Sequence, residues 1–313
     1  MHIPDGFIDG KTAAAAAVLS AIGVGLALRR VKRELPPRKV PLLGLAAAFL
    51  FAAQLVNFPV GGGTSGHLMG GTLIAALLGP SAAVVVVTTV LIVQCFLFAD
   101  GGVMALGANI FNLAILGCVG GYAVLRVVNA IFSGPRGKVT AIAFASWCSV
   151  VFSAMGCAGQ LAWSGTVDWQ AAFPAMTLTH MIIGLGEGLV SALVFLAVQR
   201  TRPDMIVDSA TQPSRGKEMF VLSLLAVMGI ALFIAPFACP LPDGLESVAA
   251  KLGFEHKAAA PVVAAPLSDY QAPEIHWAVG ATAIAGGIGT LVVFGLALLL
   301  GWLLVPKAAS KSS

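Results

Sequence analysis

The chain has 313 residues, of which 58% are apolar and only 10% charged. A soluble domain carries about 45–50% apolar and about 25% charged residues, so these proportions exclude an ordinary soluble enzyme. The formal net charge of +4 says less than where the charges sit. Taking about 20 apolar residues per crossing, and allowing for buried half-length helices, the sequence predicts spans over 12–28, 41–57, 68–79, 81–98, 104–125, 139–163, 172–199, 219–236 and 277–305. This is an all-α fold, a polytopic membrane helix bundle of about nine spans, and the 36 glycines suit helices that approach closely through small residues.

The amino terminus precedes the first span. Met1 to Gly6 contains Asp5 and no basic residue occurs before Lys11, so a secretory signal with a basic n-region is not expected. His2 is too large for the usual removal of the initiator residue, which leaves Met1 as the expected first residue. Met1-His2 offers three nitrogens in series. The α-amine and the His2 amide close a five-membered chelate ring, and that amide with its own imidazole Nδ1 closes a six-membered one. Ni²⁺ and Cu²⁺ favour square-planar nitrogen fields, and such a set leaves one corner open. A histidine with no particular role near a frayed terminus fits the same two letters.

The next informative stretch is Gly61-Gly62-Gly63-Thr64-Ser65-Gly66-His67. It is uncharged, too rich in glycine for a helix, and on the same side as Met1. His67 can close the fourth corner, although a glycine turn ending in a capping histidine also fits. The long apolar run 68–98 is split at Gly79-Pro80-Ser81, because proline removes a backbone donor and clashes with the preceding turn. Later polar groups within apolar runs are Gln54, Asn57, Gln94, Asn109 and Asn112, read as interhelical hydrogen-bonding residues. Asp100 and Asp168 are read as solvated loop acids. Glu187 is the one acid placed deep in the membrane, where an ionisable group marks function. Its expected partner is His180, seven residues earlier on the same helical face. The five cysteines form no CxxC and read as small core residues.

Residues 201–218, polar and containing two prolines, form a linker. They divide a seven-span unit (1–200) from a two-span tail (219–313) whose outer loop is 237–276. With the amino terminus outside and every span crossing, fifteen of the 18 Lys and Arg fall on the inside, as the positive-inside rule requires. Merging 68–98 into one crossing would invert the basic segments around 126–138 and 200–217. Gly63-Thr64-Ser65-Gly66 also matches the GxSG of rhomboid intramembrane serine proteases, with His180 as a conceivable base, which gives an alternative reading. No nucleotide-binding motif and no nucleic-acid pattern occurs.

Several stretches resemble, in order, the CbiM/NikM family of substrate-capture components of energy-coupling factor transporters for cobalt and nickel. They are Met1-His2-Ile3-Pro4-Asp5-Gly6-Phe7; Phe58-Pro59-Val60 through His67; Leu97 to Gly102 with Gly107 to Asn112; and Gly184-Leu185-Gly186-Glu187-Gly188. Pro242-Asp243-Gly244-Leu245-Glu246 in the tail resembles the PDGLE-type, NikN-like accessory component, here fused behind the linker. The resemblance implies that Met1, His2 and His67 hold the transported ion, with Ser65, His180 and Glu187 as supporting polar residues. It implies Ni²⁺ or Co²⁺ as substrate, and Pro4 and the fused tail lean towards nickel. It further implies no enzymatic activity in this chain, which would be the non-ATPase subunit. Its partners would be a transmembrane coupling protein, cytoplasmic ATPases and the lipid bilayer, with no nucleic acid. The place would be the cell (inner) membrane, multi-pass, with the carboxy terminus cytoplasmic.

Overall fold

A computed structural model describes residues 1–132, 134–202 and 216–305. The linker 201–218 therefore lies mostly outside the described residues, as do Arg215, Lys307 and Lys311. Helix α1 (Gly10–Glu34) starts where the Asp9 side chain accepts the Thr12 amide at 3.0 Å, a side-chain cap for one of the four orphan donors of a helix start. Helix α2 (Val40–Gln54) is followed by a hairpin of β1 (Phe58–Val60) and β2 (Thr64–Gly66), paired Phe58 with Gly66 and Val60 with Thr64. Helices α3 (Gly71–Leu78) and α4 (Pro80–Phe98) come next. Helix α5 (Leu106–Asn109), a π-helical stretch (Ile110–Gly120) and α6 (Gly121–Ile131) run on as one rod. Helices α7 (Gly134–Trp163), α8 (Trp169–Thr201) and α9 (Gly216–Gly229) follow, with α9 continuing irregularly to Phe237, and then the short α10 (Gly244–Leu252) and α11 (Ala278–Leu304).

Seven of these stretches, among the described residues, are long and apolar enough to cross a membrane. Helix α2 has 15 residues, about 22 Å at 1.5 Å per residue. The break expected at Gly79-Pro80 is present: Gly79 has φ +91°, a left-handed conformation that glycine adopts freely, and Pro80 starts α4 where its missing N–H costs nothing. The element before the break is shorter than a span. Helix α3 has 8 residues, about 12 Å long, so the rest of that crossing is made by the irregular segment around His67. Non-helical backbone at such depth is tolerated only where protein or a cavity surrounds it.

Hydrogen bonds fix which helix ends lie together. The Thr166 hydroxyl, between α7 and α8, donates to the Phe7 carbonyl at 2.5 Å. The Cys239 amide donates to the Asn57 carbonyl at 2.9 Å, and the Leu267 amide to the Leu97 carbonyl at 2.9 Å. The start of α1, the ends of α2, α4, α7 and α9, and the outer loop of the tail therefore share one end of the bundle. Since the chain alternates from there, the basic segments at 29–39, 126–138 and 200–202 sit at the opposite end. Two amide pairs stitch the interior: the Gln94 Nε2 donates to Gln54 Oε1 at 2.8 Å, and Asn112 and Gln160 exchange bonds of 2.8 and 3.0 Å. Cys95, Cys118, Cys148 and Cys157 are buried, and all five cysteines are free.

Candidate metal site

The first residues enter the bundle as an extended segment. Met1 is 6% exposed and Ile3 not at all. Burying the Ile3 side chain stabilises the inserted segment by about 1.5–3 kcal/mol. Its backbone is equally engaged. The Ile3 amide donates to Asn109 Oδ1 at 2.8 Å, and the Ile3 carbonyl accepts from Asn109 Nδ2 at 3.1 Å and from the Gly102 amide at 2.8 Å. Two residues on, the Asp5 carboxylate accepts the amides of Met104 (2.8 Å) and Val103 (3.2 Å).

The hairpin delivers the second histidine. His67 follows β2 directly, and its ring stacks on that of His2, with centroids 5.7 Å apart and planes 8° from parallel. The structure thus brings His67 beside His2 and the chain's first residue. Among the described residues no group of three or more His, Cys, Asp or Glu side chains is placed to hold a metal. The chemistry on offer is nitrogen from an amine, an amide and two imidazoles, which suits late divalent transition metals rather than Mg²⁺ or Ca²⁺.

Two carboxylates engage these nitrogens, and composition gave no hint of either. The Met1 α-amine is ion-paired with Asp243 Oδ2 at 2.5 Å. His2 Nδ1 lies 2.8 Å from Asp100 Oδ1, and the Tyr270 hydroxyl donates to Asp100 Oδ2 at 2.5 Å. Asp100, expected as a solvated loop acid, is instead drawn into the site by these two partners. Asp168 meets that expectation, being exposed at the start of α8. Burial disfavours the charge on the Met1 amine, yet the neighbouring Asp243 carboxylate outweighs it and raises its pKa. Burial pushes Asp243 and Asp100 upward, but the amine beside the one and the His2 imidazole beside the other hold both below the usual carboxylate range.

The Asp243 ion pair shows what the Pro242 to Glu246 motif does locally. Asp243 caps α10, accepting the amides of Leu245 (2.7 Å) and Glu246 (2.9 Å), while Glu246 accepts the Asp243 amide at 2.9 Å. This capping box fixes one carboxylate oxygen on the helix and leaves the other for Met1. Gly244 lies so close to α8 that a Cβ there would stand 2.6 Å from His180 Nε2. The tail also grips the hairpin, since the Ser65 hydroxyl donates to the Leu241 carbonyl at 2.7 Å and the Ser65 amide to the Pro242 carbonyl at 2.8 Å.

The expected pairing of Glu187 with His180 is not formed. Two helical turns separate the residues by about 10 Å along the axis, too far for a hydrogen bond. His180 Nδ1 instead meets the Met176 carbonyl at 2.8 Å, one turn away. Glu187 accepts the amides of Met69 (2.6 Å) and Gly70 (2.8 Å), so it caps the start of α3, where orphan N–H groups and the helix dipole favour an acid. Asn109, expected to bridge helices, holds the amino-terminal segment. No hydrogen bond joins Ser65 to His180 among the described residues, and the serine-protease alternative finds no support.

A bundle with seven long apolar helices, and a nitrogen-rich, carboxylate-flanked cluster at one end, is a multi-pass membrane protein. Comparison with known proteins narrows the class. The family model described as the cobalt uptake substrate-specific transmembrane region, CbiM, matches residues 2–205, and a PDGLE domain matches residues 217–306. The chain belongs to the CbiM family, with a PDGLE domain joined behind it. A relative from Archaeoglobus fulgidus carrying the name NikMN is 34% identical over 95% of this chain and 96% of its own. The fused nickel transport protein NikMN of Rhodobacter capsulatus is 32% identical over 75% of this chain and 72% of its own. The crystal structure of a transition metal transporter, 28% identical, covers 71% of this chain and 99% of its own with a TM-score of 0.60.

Proposed function

We propose that this chain is the substrate-capture component of an ATP-driven, energy-coupling factor type importer of nickel, with cobalt as the competing ion. The observation that carries the reading is the burial of the chain's own amino terminus beside His2 and His67. A terminus with no role has no physical reason to leave water, because burying an ammonium is costly unless it is paired. The ligands are the Met1 amine, the His2 amide and Nδ1, and an imidazole nitrogen of His67, in a square plane. Loading requires the amine to leave Asp243 and His2 Nδ1 to leave Asp100. Both carboxylates then lie beside the incoming dication and offset part of its charge. Relatives whose names call them fused carry nickel in those names, while relatives matched over 66% and 64% of this chain carry cobalt, which favours nickel here.

In this reading residues 1–200 form the capture unit, 201–218 the cytoplasmic linker and 219–313 the accessory region, whose outer loop covers the ligands. Ser65 and Glu187 support the site by fixing the hairpin and the segment after His67. A transmembrane coupling subunit and cytoplasmic ATPases supply the energy. The experiment is metal analysis of the full chain purified from cells grown with equal nickel and cobalt. One nickel per chain, lost in His67→Ala, is expected, and equal metal content in both proteins would overturn the ligand set.

We read the site end as outside and both the linker and the carboxy terminus as cytoplasmic, a reading that the distribution of basic residues supports. Single cysteines at residue 210 and at residue 260, in a background free of other cysteines, test this. Impermeant maleimide added to intact cells should label 260 alone, and labelling of 210 from outside would reverse the orientation.

A further inference from the structure

We propose that Asn109 is the positioning residue that sets the register of the amino-terminal chelate. This rests on Met1 and His2 being ligands, and it concerns a problem peculiar to such a site. A ligand that is the end of the chain has no preceding residue to hold it, and once the amine and His2 Nδ1 leave Asp243 and Asp100 for the metal, its depth in the bundle is fixed from the next anchor onward. That anchor is Ile3. The side-chain amide of Asn109, 2% exposed, takes both backbone groups of Ile3, accepting the N–H at 2.8 Å and donating to the carbonyl at 3.1 Å. The Ile3 N–H belongs to the same peptide plane as the His2 carbonyl. Fixing that plane leaves only the torsions of His2 and Met1 to place the amine, the His2 amide and the imidazole.

The platform that carries Asn109 is itself fixed. Three residues on, Asn112 exchanges its two bonds with Gln160 of α7, and its carbonyl accepts the Ser153 hydroxyl at 2.7 Å. On the other side, Gly101 has φ +88°, and a Cβ there would lie 2.8 Å from Asn109 Nδ2 and 3.3 Å from His2 Cβ. The 100–102 loop thus passes with no room to spare between the clamp and the ligand residue. One side chain therefore ties the terminus to the helical frame with strand-like pairing, although no strand is present at that place.

The test uses Asn109→Ala and Asn109→Asp in the full chain, purified in detergent. The first readout needs no metal: the rate at which an amine-selective acylating reagent modifies the Met1 amine, followed by mass spectrometry of the amino-terminal peptide. In Asn109→Ala the rate should rise by about tenfold or more, while the rates at Lys11 and Lys257 stay as in the parent. The second readout is nickel titration. Affinity should fall roughly 10–100-fold, the range for loss of an outer-shell partner, while the absorption band of bound nickel keeps its wavelength. Asn109→Asp still accepts the Ile3 amide and should fall between the other two proteins in both readouts. If the alanine variant does not fold, the aspartate variant is judged against the parent in the same way. A Met1 amine as protected as in the parent overturns the proposal, and so does a rise matched equally at Lys11 and Lys257. Absence of nickel from the parent would instead overturn the ligand assignment, while the acylation rates still judge Asn109.

Discussion

Several residues added ahead of Met1 are expected to abolish nickel loading, although every side chain survives. The extension turns the Met1 α-amine into a peptide nitrogen and moves His2 well beyond third position, so no terminal amine remains to close a chelate with the His2 amide and imidazole. The structure adds a second reason. Ile3 is fully buried and its backbone is held on both sides, so the anchor does not slide to make room, and the extra residues would have to enter where Asp243 meets the amine. Loss of the terminal amine, and with it of the anchored His2 amide, should exceed the roughly 10–100-fold cost of losing an outer-shell partner and leave only background metal. A carboxy-terminal tag of the same length should be tolerated. The measurement is nickel per chain at matched expression, across a pH series. Loading in the parent should decline as pH falls, because the ligands must shed protons. Full loading of an uncleaved extended protein would remove the amine from the ligand set.

Glu187→Ala is the substitution with the largest expected effect on stability. It leaves the amides of Met69 and Gly70 without an acceptor in a region that water does not reach. Each buried donor so abandoned costs about 1–3 kcal/mol, so the pair amounts to about 2–6 kcal/mol. The same change releases Met69 and Gly70, two and three residues after His67, so nickel affinity should weaken along with the melting temperature. Glu187→Gln retains one carbonyl oxygen for two donors and should lie between alanine and the parent. An alanine variant that melts with the parent in detergent would show that water or another group satisfies those amides. His180→Ala, which removes no partner of Glu187, should leave the Met69 and Gly70 bonds in place and cost less.

Much of the molecule is written locally in the chain. Apolar run length determined where the helices lie, and Gly79-Pro80 determined the break before α4. Met1-His2 carries three ligand nitrogens in covalent sequence, so that half of the candidate site needs no fold to be read. The glycine-rich approach to His67 and the order of the family motifs supplied the rest of the ligand set. Tertiary structure alone decided the partners of those ligands. Asp100 looks solvated in sequence because charge in a loop normally is, yet a neighbouring imidazole and the Tyr270 hydroxyl, 170 residues away, draw it inward. Asp243 lies 242 residues from the amine it pairs with, and no pattern of period 3.6 carries such a contact. The shared helical face suggested that Glu187 would meet His180. Hydrogen bonding is decided by distance and by which donors lack partners, and the orphan amides before α3 were nearer. Periodicity reports which face of a helix is buried, whereas the identity of a buried polar group's partner depends on which other element the packing brings within about 3 Å.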